Sequence, residues 1–91
     1  MNNTAQTAAA MYEAMDTAGY TTDDVTPFVY DGGDVWFFVY EDRVEGGYAV
    51  GTFAKPTATK RGDYIGEPVA EELRMVEAMD IAEKAAAERA A

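Results

Sequence analysis

Histidine, cysteine and serine are absent from this chain of 91 residues, and Lys and Arg together number 7 against 17 Asp and Glu. Each shortage excludes something. Without Cys no disulfide can form, and nothing points to an oxidising compartment. Without Cys or His the usual zinc centres cannot be assembled. Without Ser, Cys and His the common nucleophile–base pairs of acyl transfer are missing. Scarce Lys and Arg, with a formal net charge of −10, exclude direct nucleic-acid binding of the ordinary kind, which needs clustered cations against phosphates. No apolar run approaches the ~18 residues of a membrane span. Met1-Asn2-Asn3-Thr4 lacks the basic and apolar stretches of a signal peptide, so a cytoplasmic location is expected, with no membrane partner.

What is present is enough for a small core. Apolar residues make up 48% and aromatic residues 12% of the chain, and the length supports one domain over residues 1–91. Residues 4–18 read as a helix: Ala5, Ala8, Tyr12 and Met15 share one face, flanked by Met11 and Ala18, with Asn3 or Thr4 as cap and Gly19 as stop. Three strand-like runs follow at about 25–31, 34–40 and 48–54. Pro27 marks the first as an edge strand. The connections Asp31-Gly32-Gly33-Asp34 and Glu45-Gly46-Gly47-Tyr48 carry the paired glycines that tight hairpins favour. Residues 55–66 read as a loop. Residues 67–91 read as a second helix, with Pro68 in its first turn, acids at its N-terminal end, and an apolar stripe of Val69, Leu73, Val76 and Met79. The expected fold is α+β, a three-stranded antiparallel meander with an N-terminal and a C-terminal helix, in the order α-β-β-β-α.

If both Gly-Gly pairs are the centres of two-residue turns, Phe37 lies opposite Phe28, Val35 opposite Tyr30 and Trp36 opposite Val29, while Arg43 faces Val50 and Val44 faces Ala49. One sheet face then carries Phe28, Tyr30, Val35, Phe37, Val39, Tyr48 and Val50, and the other Val29, Trp36, Phe38, Tyr40, Val44 and Phe53. Both are apolar, whereas a half-exposed antiparallel sheet alternates. Either a helix covers each face, or one face meets a partner or a second copy of the chain.

The acids are unevenly placed. Residues 1–54 hold Glu13, Asp16, Asp23, Asp24, Asp31, Asp34, Glu41, Asp42 and Glu45 against Arg43 alone, a local net of −8. Residues 55–66 carry +2 through Lys55, Lys60, Arg61 and Asp63, and residues 67–91 carry −4. Charge of one sign at this density destabilises a compact state. Three explanations differ in class. The nine acids of the first half can imitate the field of a nucleic acid, which in duplex DNA is one negative charge per ~1.7 Å of axis, and so occupy a basic groove on another protein. The acidity can be an adaptation of a cytoplasmic protein to high salt, with no partner implied. Or the chain is an acidic adaptor that docks or dimerises through an aromatic sheet face. Asp31 and Asp34 flank a glycine turn without the further ligands a calcium loop needs, so no metal or cofactor is expected, and enzymatic activity is not expected either.

In its size and charge, its Ala-rich first helix, its turns Asp31-Gly32-Gly33-Asp34 and Glu41-Asp42-Arg43, and its acidic closing helix, the chain resembles small acidic phage-encoded inhibitors. Several anti-CRISPR proteins and the uracil-DNA glycosylase inhibitor are among these. The resemblance extends over the whole chain as element order and charge and includes no residue-specific motif. It implies a DNA-mimic inhibitor acting in the host cytoplasm, whose partner is a protein with a basic nucleic-acid-binding groove, such as a CRISPR effector or a DNA-processing enzyme. The nine acids of residues 1–54 are its expected contact residues.

Overall fold

Helix α1 (Thr4–Thr17) stops where the sequence places a glycine. Gly19 takes a φ of +88°, its N–H donates to the Asp16 carbonyl at 3.0 Å, and the Tyr20 N–H reaches back to the Met15 carbonyl at 2.9 Å. This paired closure around a left-handed residue is a Schellman motif. The computed structural model describes residues 4–91; Thr4 already belongs to the helix, and Asn3 lies outside the described residues.

Strands β1 (Val25–Asp31), β2 (Val35–Glu41) and β3 (Tyr48–Ala54) form the antiparallel meander, with the aromatic strand β2 between the other two. β1 is the sheet edge, as its proline requires. The fold is therefore α+β with a helix at each end of the chain, as the sequence predicts. Two short strands are added: β4 (Asp63–Tyr64) and β5 (Ala70–Leu73) both pair antiparallel with the outer edge of β3. Residues 55–66 are thus not wholly loop.

The pairing register corrects the expected one. Tyr30 faces Phe37, Val29 faces Phe38 and Asp31 faces Trp36, because the first turn is centred one residue further along. Gly33, not Gly32, takes the positive φ of +93°, and its N–H is held by Asp31 Oδ1 at 2.8 Å. In the second hairpin Glu41 faces Tyr48 and Tyr40 faces Ala49, so Arg43 and Val44 pair with nothing on β3. There Asp42 Oδ1 accepts from the N–H groups of Val44 and Glu45, each at 3.0 Å, and builds a helical turn closed by Gly46 N–H on the Asp42 carbonyl at 2.9 Å. Val44 points into solvent at 91% exposure rather than onto a sheet face. Both register errors are even-numbered, so the facing of the strand residues survives them.

One helix covers each face. α1 lays Ala8, Met11 and Met15 on Val29, Trp36, Phe38 and Phe53. α2 (Met75–Ala90) lays Ala78, Ala82 and Ala86 on Tyr30, Val35, Phe37, Val39 and Val50. Helix α2 starts at residue 75 and not 67, so the expected stripe does not exist: Val69 and Val76 are exposed and Leu73 lies on β5. The reason is the open edge of β3, which takes the Val69 N–H on the Val50 carbonyl at 2.8 Å and holds the preceding residues extended. The helix then begins after Arg74, whose N–H is capped by Glu77 Oε1 at 3.1 Å.

Candidate functional site

The nine acids of residues 1–54 do not form one strip. Glu13 and Asp16 are exposed on α1, and Glu13 borders the hollow beneath residues 56–62. Asp31 and Asp34 sit at the β1–β2 turn, where both are neutralised. Lys55 Nζ lies 2.8 Å from Asp31 Oδ1, and Arg89 spans Asp34 with its Nε and Nη2 at 3.1 Å from the two carboxylate oxygens. These partners hold the Asp31 and Asp34 carboxyls below the usual carboxylate range. Asp31 and Asp34 are turn and anchor residues, and their end of the sheet is close to neutral.

The other end of the sheet is different. Asp23 and Asp24 lead into β1 there, Glu41 closes β2, and Asp42 and Glu45 belong to the β2–β3 turn. They are joined by Glu67, Glu71 and Glu72, which the sequence reading placed on a helix and which instead flank and form β5, alongside Tyr48 and Val50 of β3. Arg43 is drawn into this group, at 3.0 Å from Asp24 and 3.7 Å from Glu41, and Arg74, which follows β5 at the same end, pairs with Glu77 at 3.1 Å instead. Asp23, Glu45, Glu67, Glu71 and Glu72 make no ion pair among the described residues. Tyr40 senses the resulting field: burial raises its phenol above the usual value, and the nearby charges of Asp42 and Glu71 raise it further. The turn Gly66-Glu67-Pro68 is the sequence signal that could have moved these acids off the helix.

A cleft of about 380 Å³ opens beside this acidic end, on the part of the α1 face that α1 leaves uncovered. Its walls are the α1–β1 connection (Thr21 to Val25) and the segment that bulges between β4 and β5 (Ile65 to Pro68). Phe38 and Tyr40 form the floor with Gly51 and Thr52, and Tyr64 stands at the side. Phe38 has its ring centre 5.8 Å from Tyr40 and 6.0 Å from Tyr64. The floor depends on Gly51, since a Cβ there would fall 2.5 Å from Phe38 Cζ. The two walls are tied by Tyr20. Its ring meets Tyr64 edge-on at 4.8 Å, and its hydroxyl donates to Asp63, which helps hold that carboxyl below the usual range. Asp23, Asp24 and Glu67 are the charged residues of the lining.

The basic loop lies at the far end of β3. Lys60 and Arg61 are exposed and form no ion pair among the described residues. Among the described residues no three potential ligands converge as a metal site would require, and no helix is long and apolar enough to cross a membrane. Comparison with protein-family models, with curated proteins and with solved structures finds no match to this chain.

Proposed function

We propose that the protein is an acidic, non-enzymatic inhibitor that sets its acidic end into the nucleic-acid-binding site of a host-defence protein, such as a CRISPR effector, or of a DNA-processing protein. The observation that carries this reading is the segregation of charge. Asp23, Asp24, Glu41, Asp42, Glu45, Glu71 and Glu72, with Glu67 on the neighbouring bulge, outnumber Arg43 and Arg74 towards one end of the sheet, while Lys55 and Arg89 neutralise Asp31 and Asp34 at the other. β2 is 7 residues long, so these ends stand about 20 Å apart. The Debye length is about 8 Å at physiological salt, so a partner meeting one end responds to that end and not to the net charge. Arg and Lys side chains that grip phosphates grip carboxylates by the same charge-assisted hydrogen bonds, and the field orients the encounter.

The test is capture of a partner from host lysate, its identification, and then competition. Nucleic acid and this protein should exclude one another on the partner. Simultaneous binding at unchanged affinity would refute the proposal. Asp23→Lys with Glu45→Lys should slow association at least about tenfold and flatten its salt dependence, whereas Glu13→Lys should change it little. The competing explanation, acidity as salt adaptation alone, forecasts a chain that is unfolded at ~0.1 M salt and folds only at molar salt. Adaptor docking through an aromatic sheet face has little surface left to use, because α1 and α2 cover both faces except at the cleft.

A further inference from the structure

We infer that the cleft between the α1–β1 connection and the β4–β5 bulge receives an arginine side chain of the partner protein. This rests on the inhibitor reading for the nature of the partner, but the cleft's chemistry stands apart from it. The rings open to the cleft are Tyr40 and Tyr64, set over Phe38, which is buried beneath them, with Val25, Ile65 and Pro68 completing an apolar wall. Tyr64 and Ile65 are 41% and 43% exposed, so this surface is available. The mouth carries Asp23, Asp24 and Glu67 and no cation of its own lining; of the three, only Asp24 is engaged, by Arg43. An apolar, ring-walled hollow with an anionic mouth suits a group that is both cationic and weakly hydrated. Guanidinium meets both conditions, stacking on aromatic faces while its edge donates to carboxylates. Ammonium is a compact, strongly hydrated charge that would stay at the mouth. Nucleic acid is repelled by the same carboxylates, and an uncharged apolar side chain leaves them without a partner.

The probe is N-acetyl-arginine amide, titrated into the wild-type protein at ~0.1 M salt and followed by amide chemical shifts, with the lysine and norleucine amides as comparisons. Shifts should saturate at Asp23, Val25, Ile65 and Gly66. The arginine amide should bind about three- to fivefold more tightly than the lysine amide, and the norleucine amide should produce no saturable shift. Asp23→Asn with Glu67→Gln should weaken arginine binding about tenfold. Shifts spread over Glu13, Glu88 and the rest of the acidic surface, or equal binding of lysine and arginine, would overturn the assignment. In the complex, Ile65→Trp fills the cleft without altering charge, and its folding is checked by thermal melting. It should speed dissociation from the partner and leave the salt dependence of association intact. If Ile65→Trp binds the partner as the wild type does while Asp23→Lys with Glu45→Lys fails, the cleft assignment falls and the inhibitor reading stands. If the cleft takes the arginine amide selectively but nucleic acid and this protein bind the partner together, the cleft assignment stands and the inhibitor reading falls.

Discussion

Individual residues show how little room the sheet allows. Gly51 faces Phe38 across β2 and β3, and the Phe38 ring occupies the space a side chain would need. Phe38 is 2% exposed and has nowhere to retreat except into the cleft. Gly51→Ala should therefore cost about 1–3 kcal/mol in urea unfolding and reduce the cleft. Glu72 is the opposite case. It is the one described residue other than glycine with a positive φ, 56°, at the irregularity where β5 pairs with β3. A side chain in that conformation is disfavoured by about 1 kcal/mol, so Glu72→Gly should be neutral or stabilising by up to that amount in the same assay. A loss of stability would mean that the Glu72 side chain contributes something the backbone argument omits. The two glycine turns teach a related lesson. Each was legible as a turn, but Asp31 and Asp42 decided where it is centred, by accepting hydrogen bonds from amides two or three residues ahead.

At the scale of elements, the strands were legible and the second helix only partly so. The run Val35 to Tyr40 is too apolar and too aromatic for anything but a buried strand, and glycine turns bound it. Residues 67–74 carry Glu, Ala, Leu and Arg, all good helix formers, and their propensity pointed the wrong way. The exposed hydrogen-bonding edge of β3 overrode it, a competitor that exists only once the meander has formed. The same displacement turned Glu67, Glu71 and Glu72 from helix-surface charges into part of the acidic end. It also left α2 to pack through Ala78, Ala82 and Ala86. Small side chains bring the helix backbone close to the sheet, so Ala82→Leu, at a position with no exposure, should overpack the interface and destabilise by about 1–3 kcal/mol. Thermal or urea unfolding reads this directly, and an unchanged midpoint would show that the α2 interface is looser than described.

For the whole molecule, charge sets stability and recognition against each other. Raising NaCl from ~0.1 to ~1 M should raise the melting temperature by screening repulsion at the acidic end, and should weaken binding of any cationic partner. If both move in the same direction, electrostatics does not govern one of them. Acid should act through the ion pairs. The carboxyls of Asp31, Asp34, Asp63 and Glu77 are held below their ordinary values, 3.8 for the aspartates and 4.5 for the glutamate, by Lys55, Arg89, Tyr20 and Arg74 in turn. Folded-state values lower than unfolded ones give stability that is present above the ordinary range and lost as pH falls through the folded-state values. Protonating the unpaired carboxylates of the acidic end relieves repulsion over the same window, so the pairings are read as a difference: the stability that wild type holds over Asp34→Asn near neutral pH should shrink below about pH 4. A difference that stays constant or grows as pH falls through that window would contradict the Asp34–Arg89 pairing.

The sequence by itself determined that the fold contains a three-stranded meander and two helices, that both sheet faces are apolar, and that carboxylates outnumber cations over most of the chain. Those properties follow from local periodicity and composition, which do not depend on what lies opposite in space. Only the tertiary structure decided which carboxylates are neutralised and which stand together. Asp34 and Arg89 are 55 residues apart, and the bulge that carries Glu67 meets the α1–β1 connection only across the sheet. Pairing between distant segments depends on turn centring and edge competition, and each of these rests on a few hydrogen bonds that no local pattern records.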